Sequence, residues 1–239
     1  MPPAADNYCI RRDYTPNYQS RTLDTEREVF WGPTRIATNR DYQWHVYNRV
    51  AQIVRERGLR TVLDIGCGPA TKLMSCIAPF ATVYGIDQPS AVAYCKGTYP
   101  TGTFLVDDFE KPALQIDTKF DVVICSDVIE HIHDPDVLLN YIKRFCQRDT
   151  LVILSTPDRE RLRGKNALTC TKPEHVREWS APEFADYLRS RGFEVVDHLH
   201  LPPVRTAMNT LFLMHLFVQA ARFRPYKYNQ MTVCRLSRP

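Results

Sequence analysis

The chain has 239 residues, 44% hydrophobic and 24% charged, with a formal net charge of +4 at pH 7. That length suits one α/β domain with an appendage or two small domains, and the composition excludes a disordered or fibrous chain. The mild positive charge permits an anionic substrate without demanding nucleic acid.

Residues 1–30 are polar, with Pro2, Pro3 and Pro16 and a charged cluster between Asp24 and Glu28, and read as irregular structure or a short helix. Phe30-Trp31-Gly32-Pro33 is a turn carrying two large aromatics. Over 39–57 the positions Tyr42, Val46, Tyr47, Val50, Ile53 and Val54 recur at helical spacing, and Gly58 stops the helix. Strand-like apolar runs follow at 61–65, 81–86, 103–106, 120–125 and 151–154, with helix-length segments between most of them. This rhythm predicts βα units and a parallel sheet. A basic irregular loop spans 158–173 and reads as a solvated surface. Ser180 with Glu183 three residues on is a capping box opening a helix to about 191. A sixth strand over 193–199, a helix over 208–223 and a last strand over 231–236 complete the chain. The sixth and last strands are expected to pair antiparallel at the sheet edge.

Eight cysteines, at 9, 67, 76, 95, 125, 146, 170 and 234, form no CxxC pair. Neither a zinc framework nor a disulfide framework is indicated, and a reducing cytoplasm is expected. The N-terminus carries no apolar signal core. The longest apolar run, 210–221, includes His215 and Gln219 and is too short to span a bilayer.

The chemistry concentrates in four stretches. The first is Thr61-Val62-Leu63-Asp64-Ile65-Gly66-Cys67-Gly68-Pro69-Ala70, a buried strand handing over to a helix through a glycine turn. It lacks the third glycine of GxGxxG, and Asp64 suits a cationic ligand group better than a pyrophosphate. The second ends in Asp87-Gln88, where a carboxylate at a strand end can accept both ribose hydroxyls of an adenosine. The third, Asp107-Asp108-Phe109, offers a carboxylate and a ring where an adenine amino group and face would sit. The fourth runs from Phe120 through Ser126, Asp127, Glu130 and His131 to Ile132.

Together LDIGCG, the Asp87 strand end, DDF and FDVVICSDVIEHI resemble the class I S-adenosylmethionine-dependent methyltransferases, over about residues 40–200. Ala70 departs from the pattern where many members carry a third glycine. The resemblance implies an α/β fold with a seven-stranded, mostly parallel Rossmann-like sheet of order 3-2-1-4-5-7-6. It implies an antiparallel last strand, helices on both faces, and S-adenosylmethionine as cofactor. It further implies that Asp64 and the Gly66, Cys67, Gly68 backbone hold the methionine moiety. Asp87 with Gln88 would hold the ribose, and Asp108 with Phe109 the adenine, Asp107 being the alternative to Asp108 and Ser126 lying alongside. Residues 1–58 are expected to form an N-terminal extension with a lid helix over a catalytic domain at 59–239.

A hydroxyl acceptor is a weak nucleophile at neutral pH and needs a base or a metal. His131 is the candidate base and His175 a candidate substrate contact. The EHI element resembles that of ubiquinone-pathway O-methyltransferases and of glycan and natural-product methyltransferases, which points to a small-molecule or glycan acceptor. It also resembles the small-RNA 2′-O-methyltransferases, in which such residues bind Mg²⁺; here the ligands would be Asp127, Glu130, His131 and His175. No RNP-type stretch or RNA-binding domain accompanies it, which weighs against nucleic acid. An N-methyltransferase and a non-catalytic partner subunit are the remaining alternatives. His45, His133, His198, His200 and His215 belong to no constellation, and no feature sets an oligomeric state.

Overall fold

The computed structural model describes residues 6–20, 29–206 and 210–237. The charged cluster between Asp24 and Glu28 and the start of the helix expected from 208 lie outside them. Seven strands form one sheet: β1 (Thr61–Ile65), β2 (Thr82–Asp87), β3 (Thr103–Val106), β4 (Phe120–Ser126), β5 (Cys146–Pro157), β6 (Phe193–Leu201) and β7 (Asn229–Leu236). Their order is β3-β2-β1-β4-β5-β7-β6. Neighbours from β3 to β5 are parallel, while β7 runs antiparallel to both β5 and β6, as the sequence predicts. The central strands are apolar on both faces, Val62, Leu63, Val122, Val123, Ile124, Val152 and Ile153 being fully buried, because helices cover the sheet on each side.

The helices are α1 (Pro33–Asn39), α2 (Trp44–Arg57), α3 (Pro89–Thr98), α4 (Pro135–Arg144), α5 (Arg159–Arg163), α6 (Ala181–Ser190) and α7 (Thr210–Ala221). The helix expected over 39–57 starts only at Trp44, and residues 40–43 link it to α1. Gln43 takes a left-handed φ of 64°, and its carbonyl accepts from the Val46 and Tyr47 amides, starting α2 afresh. Gly58, also left-handed at φ 63°, ends α2 as predicted. Residues 6–20 are more ordered than their composition suggests. Tyr8, Ile10 and Tyr14 are buried in the core cluster that holds Trp179 and Tyr187, and Trp179 Nε1 donates to the Tyr8 carbonyl at 2.9 Å.

The basic stretch 158–173 is a solvated loop only in its second half, where Lys165 and Lys172 are exposed; its start is not. Asp158 caps the short helix α5, accepting from the Glu160 and Arg161 amides. Arg159 is fully buried against Glu183 at 2.7 Å, and Arg163 binds Glu178 through two nitrogens at 2.6 and 2.7 Å. Both guanidinium groups are consumed by internal carboxylates that lie far along the chain. All eight cysteines are free thiols, seven of them buried.

Candidate active site

The carboxyl ends of β1, β2, β3 and β4 open on one cavity of about 810 Å³, a volume that accommodates a nucleoside-sized ligand together with a second molecule. Gly66, Cys67, Gly68, Asp87, Gln88, Asp107, Asp108, Phe109, Ser126, Asp127, Glu130, His131 and His175 all line it. Every site residue singled out from the sequence therefore converges there except Asp64.

The turn after β1 is built by backbone that side chains would obstruct. Gly66 and Gly68 have φ of +82° and +53°, and a Cβ on Gly66 would lie 2.3 Å from Val128 Cγ2. Ala70 also adopts a positive φ, 53°, a backbone region that favours glycine. Behind the turn, Asp64 is fully buried. Its Oδ2 accepts the Tyr47 hydroxyl at 2.7 Å, and its Oδ1 has no hydrogen-bond partner among the described residues. Burial lifts its pKa to about 7, against the lowering influence of Tyr47 and Lys72. Lys72 is buried in turn, its ammonium donating to Asn39, and desolvation draws it down to about 8.

Asp87, at the end of β2, lines the cavity beside the turn. Its Oδ2 accepts the Gly68 amide at 2.8 Å and its Oδ1 the Gln88 amide at 2.8 Å, so the carboxylate is tied to the glycine turn. Trp31 also reaches it, donating its indole N–H to Oδ1 at 3.2 Å. The Trp31 ring lies where a Gly68 Cβ would point, 2.8 Å from that position. Asp107 and Asp108 separate by their partners. The Asp107 carboxylate accepts from Asp108, Ala113 and Leu114 amides and from the Tyr141 hydroxyl, holding its turn together. Asp108 accepts the Glu110 amide through one oxygen. Phe109 packs beside Tyr141, ring centroids 6.2 Å apart.

After β4 the chain does not enter an α-helix at 127. Asp127 is left-handed at φ 52°, and only one 3-10 turn, Ile129–His131, follows. The Asp127 carboxylate turns to Ser155 Oγ at 2.6 Å and Asn229 Nδ2 at 3.5 Å, and Ser126 Oγ lies 2.8 Å from Ser155 Oγ. Glu130, His131 and His175 do come together, one ligand atom of each lying within 4.8 Å of the others. His131 Nδ1 lies 2.6 Å from the Glu174 carbonyl, which can only accept, so Nδ1 carries the proton and Nε2 keeps a lone pair. Burial and the neighbouring His175 push its pKa well below the usual imidazole value, leaving it neutral at pH 7.

His175 Nδ1 makes the same kind of contact to Glu178 Oε1 at 2.7 Å. Burial alone would raise Glu178, but His175 and Arg163 overcome it and bring its pKa to about 2. Glu130 is buried, neither carboxylate oxygen having a hydrogen-bond partner within 3.5 Å among the described residues, and burial together with Asp127 raises its pKa well above the usual carboxylate range against a smaller lowering influence of Thr156. Arg35 pairs with Glu174 at 2.5 Å, linking α1 to the segment that orients His131. Tyr47, Trp31, Glu174 and Glu178 were not singled out as functional from the sequence. Only Glu178, three residues beyond His175, carried a local signal.

A family profile described as a methyltransferase domain matches residues 36–198. The chain belongs to this methyltransferase family. The methyltransferase domain is 33% identical over 158 residues to a probable S-adenosylmethionine-dependent methyltransferase of Mycolicibacterium smegmatis, covering 64% of this chain and 58% of that one. It is 31% identical over 109 residues to the ubiquinone biosynthesis O-methyltransferase of Glaesserella parasuis, covering 42% and 46%. The chain thus spans about half the length of these curated relatives. The methyltransferase fold is shared with magnesium protoporphyrin IX methyltransferase of Synechocystis, solved with bound S-adenosylhomocysteine. The TM-score is 0.55 at 18% identity, over 81% of this chain and 83% of that one.

Proposed function

We propose that the domain binds S-adenosylmethionine in this cavity and moves its methyl group to an oxygen of a small molecule or glycan. The observation that carries the reading is the Asp87 carboxylate, fixed by the Gly68 amide beside a turn with no room for side chains. Asp87 with Gln88 takes the ribose hydroxyls. Asp108 and Phe109 take the adenine, and the Gly66, Cys67, Gly68 backbone passes along the methionine part. Asp64, outside the cavity lining, braces that turn from behind through Tyr47. Residues 1–58 act as extension and lid to a catalytic unit at 59–239, with Trp31 holding the ribose acceptor until cofactor enters.

Bound there, the cofactor supplies an electrophilic methyl carbon, and displacement leaves the neutral thioether S-adenosylhomocysteine. His131 contributes the base: its Nε2 lone pair accepts the acceptor hydroxyl proton as the oxygen–carbon bond forms. Glu174 fixes the tautomer, and Arg35 fixes Glu174. His175, held by Glu178, presents a second Nε2 to the acceptor. Calorimetric titration with S-adenosylhomocysteine tests the cofactor assignment, and absence of binding would sink it.

One observation favours a second reading of the acceptor side. The Glu130 carboxylate, without a hydrogen-bond partner among the described residues, lies with one ring nitrogen each of His131 and His175 within 4.8 Å, a donor set for a divalent ion. Two imidazoles and one carboxylate suit a transition ion, whereas Mg²⁺ takes oxygen ligands, and Asp127 is turned away toward Ser155. The residues do not fit Mg²⁺. A transition ion on Glu130, His131 and His175 would acidify the acceptor hydroxyl in place of the base. Full activity after EDTA treatment removes this reading; loss restored by Mn²⁺ or Zn²⁺ but not Mg²⁺ supports it.

A further inference from the structure

The last helix does not behave like the others. Over α7 the sequence is apolar almost all round, yet only Gln219 is buried. Leu213, Met214, Leu216 and Phe217 are 46%, 52%, 42% and 74% exposed, and Phe223 just beyond is 98% exposed. A contiguous exposed apolar surface of this kind marks an interaction site.

The opposite side of α7 walls the active-site cavity. His215 and Tyr228 both line it, with Tyr228 Oη and His215 Nδ1 3.0 Å apart, and Tyr42 packs its ring edge-on against His215 at 6.0 Å. Whatever covers α7 therefore sits at the cavity mouth.

Charge selects the occupant. From residue 198 to the end of the chain there is no Asp or Glu, while Arg205, Arg222, Arg224, Lys227, Arg235 and Arg238 are present. Arg222 and Lys227 are exposed beside the apolar face. Lys227 adjoins Arg161, which donates to its carbonyl at 2.9 Å. A second copy docked through α7 would set these cations against their own equivalents. An anionic bilayer surface complements both features at once: Leu, Met and Phe enter the acyl boundary, and Arg and Lys meet lipid phosphates. At 12 residues, α7 is about 18 Å long, enough to lie in the interface and too short to cross the roughly 30 Å hydrocarbon core.

We propose that α7 and Phe223 dock the protein on anionic membrane, placing the cavity mouth at the lipid interface. The corollary, resting on the methyltransferase reading, is that the acceptor is an amphiphile: a polar head methylated in the cavity on an apolar tail left in the membrane.

Flotation of the full chain tests this with vesicles of phosphatidylcholine alone and of equal parts phosphatidylcholine and phosphatidylglycerol. The wild-type protein should float with the mixed vesicles and be released as salt rises. The double variant Met214→Ser, Phe217→Ser should lose about tenfold or more in partitioning, given the apolar area removed. Arg222→Glu with Lys227→Glu should erase the preference for phosphatidylglycerol. These positions are exposed, and unchanged S-adenosylhomocysteine affinity in each variant reports an intact fold. Wild-type protein that floats with neither vesicle overturns the proposal. So does a concentration-dependent dimer, abolished by Phe217→Ser and seen without vesicle binding, because it assigns the face to a second copy. Vesicle binding without S-adenosylhomocysteine binding by the wild type would overturn the methyltransferase reading and the amphiphile corollary while leaving the docking surface standing.

Discussion

Asp87 and Trp31 make opposite predictions about one carboxylate. Asp87 Oδ1 and Oδ2 already accept the Gln88 and Gly68 amides at 2.8 Å each, which fixes the carboxylate in the cavity wall. Two ribose hydroxyls would add two charge-assisted hydrogen bonds, each about 1.5–3 kcal/mol. Set against them is the Trp31 N–H bond at 3.2 Å, which cofactor must displace, at about 1 kcal/mol. The net is about 2–5 kcal/mol, so Asp87→Ala should weaken S-adenosylhomocysteine binding roughly 30- to several-thousand-fold. Trp31→Phe, which keeps a ring and deletes only the donor, should tighten binding about fivefold. Calorimetry with S-adenosylhomocysteine and its 2′-deoxy analogue completes a cycle: the analogue should bind more weakly than its parent to wild type and equally to Asp87→Ala. An Asp87→Ala affinity within threefold of wild type, or an undiminished deoxy penalty in that variant, would refute the ribose assignment.

Three further outcomes are expected. Gly66→Ala should lower stability by about 2–5 kcal/mol in denaturant titration, since φ is +82° and Val128 stands 2.3 Å from the new Cβ. His131→Ala should reduce kcat about 10²- to 10⁴-fold with cofactor affinity unchanged, and an unchanged turnover would remove His131 as base. Asp64→Asn tests the buried carboxyl through pH. Its folded pKa, about 7, lies above its ordinary 3.8, so its contribution to stability is full below about pH 4 and lost as pH rises through about 7. The loss is on the order of 4 kcal/mol at most. The melting temperature of Asp64→Asn relative to wild type should therefore rise from pH 5 to pH 8, and a constant difference would contradict the assignment.

The sheet and the residues of the cavity wall were legible because their signals are local. β2, β3 and β4 are apolar runs with a cavity-lining residue at or just after the end: Asp87, Asp107 and Ser126. What stayed hidden depends on partners distant in sequence. Arg159 and Arg163 read as a solvated basic run, and only the fold brings Glu183 and Glu178 to bury them. Tyr8 and Tyr14 sit in a segment of loop-like composition, and their order comes from packing on the Trp179 and Tyr187 region. The break at Gln43 has no glycine to announce it. Asp127 was grouped with Glu130, His131 and His175 as a ligand, but a left-handed Asp127 drawn to Ser155 keeps it out of the cluster. The apolar character of α7 was visible as a run too short to span; that it faces outward was not, because burial depends on what the sheet leaves uncovered.

The most direct measurement is calorimetric titration of the wild-type protein with S-adenosylhomocysteine, repeated with Asp87→Ala. The proposed function predicts saturable one-to-one binding by the wild type that is lost or weakened at least about 30-fold in the variant. No heat of binding from folded wild-type protein, or equal binding by both, would contradict it.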